Sequence, residues 1–163
     1  MASAGGSRHA RATADVLTDA VLTASRLLIA VSATSIAAVD ESITVPQFRL
    51  LVVLYSRRSM RLSDLADILG VNPSTTTRMV DRLVSAGLVD RQINPTSRRE
   101  VLLDLTEAGD EALLQVTQQR RREIARIVAR TPEGRRTQLI EALDAFNEAG
   151  GEPPATDVRK DWI

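Results

Sequence analysis

Apolar residues recur at helical spacing in six separate stretches of this chain, and one interval between them switches to the two-residue period of strands. In residues 12–39 the positions Leu17, Val21, Ala24, Leu28, Val31, Ser35 and Ala38 alternate steps of four and three, the seam of a coiled coil. Ala20, Leu27, Ala30 and Ala37 widen that seam, so the helix needs cover on more than one side, which a partner subunit supplies. A capping box follows in Thr44-Val45-Pro46-Gln47. The helix it opens carries Phe48, Leu51, Val52, Leu54 and Tyr55 and stops in the polar run 56–59.

Residues 61–106 form the centre of the pattern. Leu62, Leu65, Ala66 and Leu69 line one face of a short helix, with Ser63 as its expected N-cap and Gly70 as its stop. A brief turn leads to Asn72-Pro73, a cap residue followed by proline at the first helical position, which opens a second helix. Two short helices joined by a tight glycine-containing turn predict a helix-turn-helix. Thr76, Val80 and Leu83 face its partner helix, with Met79 at the edge. After Gly87 come strand-like LVDRQ, the polar loop INPTSRR and EVLLDL, which predict a hairpin wing.

Past the wing, Thr106 caps a long helix over about 107–129, with Leu113, Val116, Ile124, Ile127 and Val128 as its apolar members and Arg120 to Arg122 read as a solvated run. Thr131-Pro132-Glu133 breaks it and caps a last helix striped with Leu139, Ile140, Leu143 and Phe146. The small, polar, basic residues 1–11, including Arg8, His9 and Arg11, read as a disordered tail, and residues 150–163 as a second tail without periodicity.

Composition narrows the picture. Hydrophobic residues make up 44% and aromatics only 2%, so the core is aliphatic and the class mainly α. The absence of cysteine excludes disulfides, thiol redox switches and a cysteine metal site, and the single His9 leaves almost no material for a zinc site or a histidine-based catalytic unit. No nucleophile–base pair or phosphate loop points to an enzyme, and nothing calls for a cofactor. The N-terminus lacks the apolar core of a signal peptide, and no apolar run reaches the length of a membrane span, so a cytoplasmic protein is expected. Net charge is zero, yet between residues 74 and 99 five arginines (78, 82, 91, 98, 99) face two acids (81, 90).

That local charge gives the second helix of the motif its chemistry. Ser74, Thr75, Thr77, Arg78, Asp81 and Arg82 face outward. Hydroxyl and β-branched residues are mediocre helix formers, so this face gives up helix stability for something else. Short hydroxyls approach base edges and phosphates closely, while arginine grips guanine or phosphate with two bonds. The reading is a double-stranded-DNA interface built from Ser74, Thr75, Thr77, Arg78 and Arg82, with Arg98 and Arg99 on the wing. A winged helix used as a protein-binding module is the alternative, but it calls for a larger exposed apolar patch.

With these residues placed, the chain resembles the MarR family of winged helix-turn-helix regulators over about residues 12–149. The matching segments are TVPQFRLLVVL, LSDLADILGVNPSTTTRMVDRLVSAGLVDR and SRREVLLDLTEAG. The resemblance implies a winged helix-turn-helix domain at 44–106, flanked by dimerisation helices at 12–43 and 107–149. It further implies a homodimer, most often a repressor, that reads a pseudo-palindrome with the recognition helix in the major groove and a wing arginine in the minor groove. By position that arginine is Arg99. The family usually has aspartate two residues earlier, where this chain has Ser97, which leaves the assignment open between Arg98 and Arg99. The resemblance also implies a small aromatic or anionic effector between the dimer helices and the winged lobe, for which Arg26, Phe48 and Tyr55 are candidates.

Overall fold

The computed structural model describes the backbone of residues 4–94 and 97–151, and the side chains of 13–93 and 101–151. In chain order the elements are α1 (Ala4–Ala37), α2 (Val45–Arg57), β1 (Met60–Arg61), α3 (Leu62–Leu69), α4 (Pro73–Ser85), β2 (Val89–Asn94), β3 (Ser97–Leu105), α5 (Glu107–Arg130) and α6 (Glu133–Gly150). The three strands form an antiparallel sheet in the order β1-β3-β2. The fold is mainly α with a small β wing, as the periodicities require.

Several boundaries follow from side-chain caps. The Thr44 N–H donates to Gln47 Oε1 (2.8 Å) while the Gln47 N–H donates to Thr44 Oγ1 (3.4 Å), closing the capping box of α2. Asn72 accepts from the Thr75 N–H (2.9 Å), and Thr106 from the Gly109 N–H (3.0 Å). Gly70 ends α3 at φ 64°, where a Cβ would cost about 1–2 kcal/mol, and the Val71 N–H returns to the Ala66 carbonyl (3.1 Å) to close the turn.

Other expectations need correction. Arg61, not Ser63, is the N-cap residue of α3, and it makes no side-chain cap bond; pairing of β1 with β3 sets where this helix begins. The Ser63 hydroxyl turns to Asp64 instead. Thr131 closes α5, and the backbone of Pro132 starts α6 without a side-chain cap. Helix α1 begins at Ala4, so most of the stretch assigned to a tail is helical, although Gly5 and Gly6 are weak helix formers. The remainder of that tail and the C-terminal one from residue 152 lie outside the described residues.

A further correction concerns length. Thr13–Ala37 is long and apolar enough, by length and composition, to cross a membrane. Only Asp15, Asp19 and Arg26 charge this stretch. Its C-terminal end is packed on protein: Ser32, Ser35 and Ile36 are buried where α1 meets α2 and α5. Of the expected seam, Ser35 is therefore buried within the chain, whereas Leu17 and Leu28 are exposed.

One aliphatic core joins the elements. Leu50, Leu51 and Leu54 of α2 are fully buried beside Leu65 of α3, Val80 and Leu83 of α4, Leu103 of β3, and Leu113 and Val116 of α5. Helix α2 is thus the scaffold on which the helix-turn-helix, the wing and α5 are assembled. Helix α6 has no buried residue.

Candidate nucleic-acid interface

Helix α4 is divided sharply between core and surface. Thr76, Val80 and Leu83 are buried, and Met79 packs against them from the edge. Thr76 is the departure from an aliphatic pattern, and its hydroxyl donates to the Asn72 carbonyl (3.2 Å), so its burial leaves no orphaned donor. The opposite face presents Ser74, Arg78, Asp81 and Arg82 as exposed residues, with Thr75 and Thr77 half-buried beside them.

The hydroxyls on that face are already oriented. Ser74 donates to Asn72 Oδ1 (2.8 Å), and Thr77 donates to the Pro73 carbonyl (2.8 Å). Their protons are engaged, so outward they offer lone pairs, which suit the amino groups of adenine or cytosine. Arg78 and Arg82 have no hydrogen-bond or ion-pair partner among the described residues, so no internal bond need be broken before they bind. Asp81, between them, is paired with Arg91 of β2.

The wing carries a finding of its own. Asn94 pairs with Ser97 after a register shift at Ile93, leaving only two residues between the strands. Ser97, Arg98 and Arg99 therefore begin β3 instead of lying in the loop, as the LVDRQ–INPTSRR division had it; the side chains of both arginines lie outside the described residues. Strand β1 is too short to carry periodicity, and its pairing of Met60 with Leu103 had no signal in the sequence.

At its base the wing is fixed to the helices behind it. The Thr106 hydroxyl donates to the Gly87 carbonyl (2.7 Å), and the Thr106 N–H donates to the Leu88 carbonyl (3.2 Å). Ser59, just ahead of the outer strand β1, donates to Asp104 of the central strand β3 (2.8 Å). Nearby, burial pushes the Asp110 carboxyl up from its ordinary range; Arg58 opposes this and Asp104 adds to it.

The three effector candidates are not brought together. Phe48 and Tyr55 are buried in the core, whereas Arg26 lies exposed on α1, bonded to the Thr23 hydroxyl (3.3 Å). Arg120, read from the sequence as solvated, instead lies half-buried with its guanidinium 5.6 Å from the centre of the Phe48 ring. Its Nε is buried without a hydrogen-bond partner, and desolvation pulls its pKa below the usual arginine value. A cation on an aromatic face was not legible because Phe48 and Arg120 are remote in sequence. A separate depression of about 230 Å³, lined by Val45, Pro46, Arg49, Leu69, Val71 and Met79, opens where α2 meets the turn of the motif.

An aliphatic lobe that presents one arginine-bearing helix beside a three-stranded wing defines a winged helix-turn-helix protein. The MarR family model matches residues 43–101. The solved structure of RV1404 from Mycobacterium tuberculosis is 59% identical, covers 87% of this chain and 97% of its own, and superposes with a TM-score of 0.82. The putative transcriptional regulatory protein for the hcr operon of Thauera aromatica is 30% identical over 71% of this chain and 69% of its own length. A mutant MarR from E. coli complexed with operator DNA is 25% identical at a TM-score of 0.64, over 80% of this chain and 91% of that one. Against two Bacillus subtilis regulators the chain spans 40% and 46% of their lengths. The chain belongs to the MarR family of transcription regulators, which are not enzymes.

Proposed function

We propose that this protein is a cytoplasmic, homodimeric transcription regulator, acting as a repressor, that reads a pseudo-palindromic DNA site. The observation that carries this reading is the outer face of α4, where Arg78 and Arg82 stand exposed and unpaired among the described residues beside pre-oriented hydroxyls. The operator complex of the E. coli MarR mutant, similar over most of this chain, supports the same use. Exposed apolar residues on α1 and α6 support the dimer. Two lobes related by a two-fold meet half-sites about 10 base pairs apart.

Selection from a random duplex pool, followed by titration of the selected site at several salt concentrations, tests the proposal. Enrichment of a pseudo-palindrome with affinity falling steeply in salt is the expected result; weak, sequence-independent binding overturns it. On the selected site, Arg78→Ala is expected to lose about 1–3 kcal/mol of discrimination at one base step. Arg99→Ala is expected to weaken binding strongly if the wing enters the minor groove, and wild-type affinity in that variant removes the wing contact.

Release by a small aromatic or anionic molecule extends the proposal. Arg120 over Phe48 supports it, because a half-buried guanidinium with an unmatched Nε is stabilised by an anion. Repeating the titration with a panel of aromatic carboxylates tests this, and affinity unchanged across the panel overturns it.

A further inference from the structure

Asp81 is the one acidic residue on the outward face of α4, and it occupies a position where it could disable that face. It stands three residues after Arg78, a spacing at which side chains on a helix meet, and it is the direct neighbour of Arg82. A carboxylate left free there would draw Arg78 into an internal pair and would repel phosphate oxygens. Neither arginine is in fact paired with it; Arg91, reaching over from β2, holds the Asp81 carboxylate instead.

The competing acid beside Arg91 is also accounted for, since the Asp90 carboxylate accepts the Arg91 main-chain N–H (2.8 Å). The Asp81 main-chain carbonyl accepts from Ser85 (2.8 Å), one turn further along the helix. Side chains of the Arg91–Asp81 pair are 41% and 52% exposed, so screening leaves it little weight in folding stability. Its weight falls on what it arranges.

We propose that Arg91 is a positioning residue for DNA recognition: by engaging Asp81 it keeps Arg78 and Arg82 available to DNA. This rests on the placement of α4 in the major groove. The arrangement ties a wing strand to the recognition helix and removes one negative charge from the surface that meets phosphates.

Titration of the selected duplex with Arg91→Ala, Asp81→Ala, the double variant and Arg78→Ala tests it, with circular dichroism confirming that each is folded. Arg91→Ala is expected to bind about tenfold more weakly, Asp81→Ala as tightly as the native chain or more so, and the double variant within about threefold of native affinity. Rescue by removal of Asp81 is the informative result, because a purely structural tie would make both single variants equally weak. A double variant as weak as Arg91→Ala overturns the proposal and makes Arg91 a direct DNA contact. Native affinity in Arg91→Ala overturns it as well. If Arg78→Ala binds every sequence like the native chain, the groove placement itself fails, and the proposal with it.

Discussion

Gly109→Ala is expected to destabilise the protein by about 3 kcal/mol, although the substitution adds one methyl group in a helix, where alanine is ordinarily the better residue. A Cβ at position 109 would stand 2.0 Å from the Leu88 carbonyl oxygen, with the Leu88 carbonyl carbon at 3.0 Å. These are backbone atoms, so no rotamer change relieves the overlap. Nor is that carbonyl free to move, because it accepts from the Thr106 N–H, and Thr106 also caps α5 through the Gly109 N–H. Glycine is needed here for close approach of α5 to the start of the wing, not for an unusual backbone angle. Equilibrium unfolding in urea measures the loss, and an unchanged midpoint would show that the contact relaxes without cost. Because this joint sets α5 against the hairpin, the variant should also lose DNA affinity beyond its loss of stability.

Leu143→Asp has the second large effect, on assembly. Leu139, Ile140, Leu143 and Phe146 stripe α6 and are 41 to 60% exposed, and the helix buries none of its residues within the chain. On α1, Val16, Leu17 and Ile29 are 58 to 70% exposed. Amphipathic helices owe most of their stability to packing of the apolar face, so these stripes require cover, which the proposed two-fold dimer would supply twice over in one contact. An aspartate at 143 puts an unpaired carboxylate into both halves of that contact. The expected outcome is a folded monomer by sedimentation. Binding to a full pseudo-palindrome should fall by a factor of about 10²–10⁴, because the linked second half-site is lost. A dimer that persists with full affinity would move the interface away from α6.

How much was legible follows the range of each interaction. The capping box at Thr44 and Gln47, the Asn72 and Thr106 caps, the Gly70 stop and the split of α4 into Thr76-Val80-Leu83 and its polar face all depend on residues within four positions of each other. Such patterns are set by the geometry of one helical turn, and they can be read before any tertiary contact exists. Where local preference met a longer-range demand, it lost. Ser63 is a better cap than Arg61 by propensity, yet the ladder of β1 with β3 sets the start of α3 ahead of it. Arg120 belongs to a polar run that reads as solvated, yet the packing of α5 on α2 turns it onto Phe48.

The sequence by itself thus determined the class of fold, the second helix of the helix-turn-helix and which of its side chains face away from the core, since hydrophobic period and caps are local and energetically strong. Only the tertiary structure decided how those parts work together. It closed the third strand onto the wing, left the apolar faces of α1 and α6 uncovered, brought the α5 turn against Leu88, and drew Arg91 to Asp81 across an element boundary. Each of these depends on where two distant segments meet, and no single turn of helix or run of alternating residues encodes that meeting.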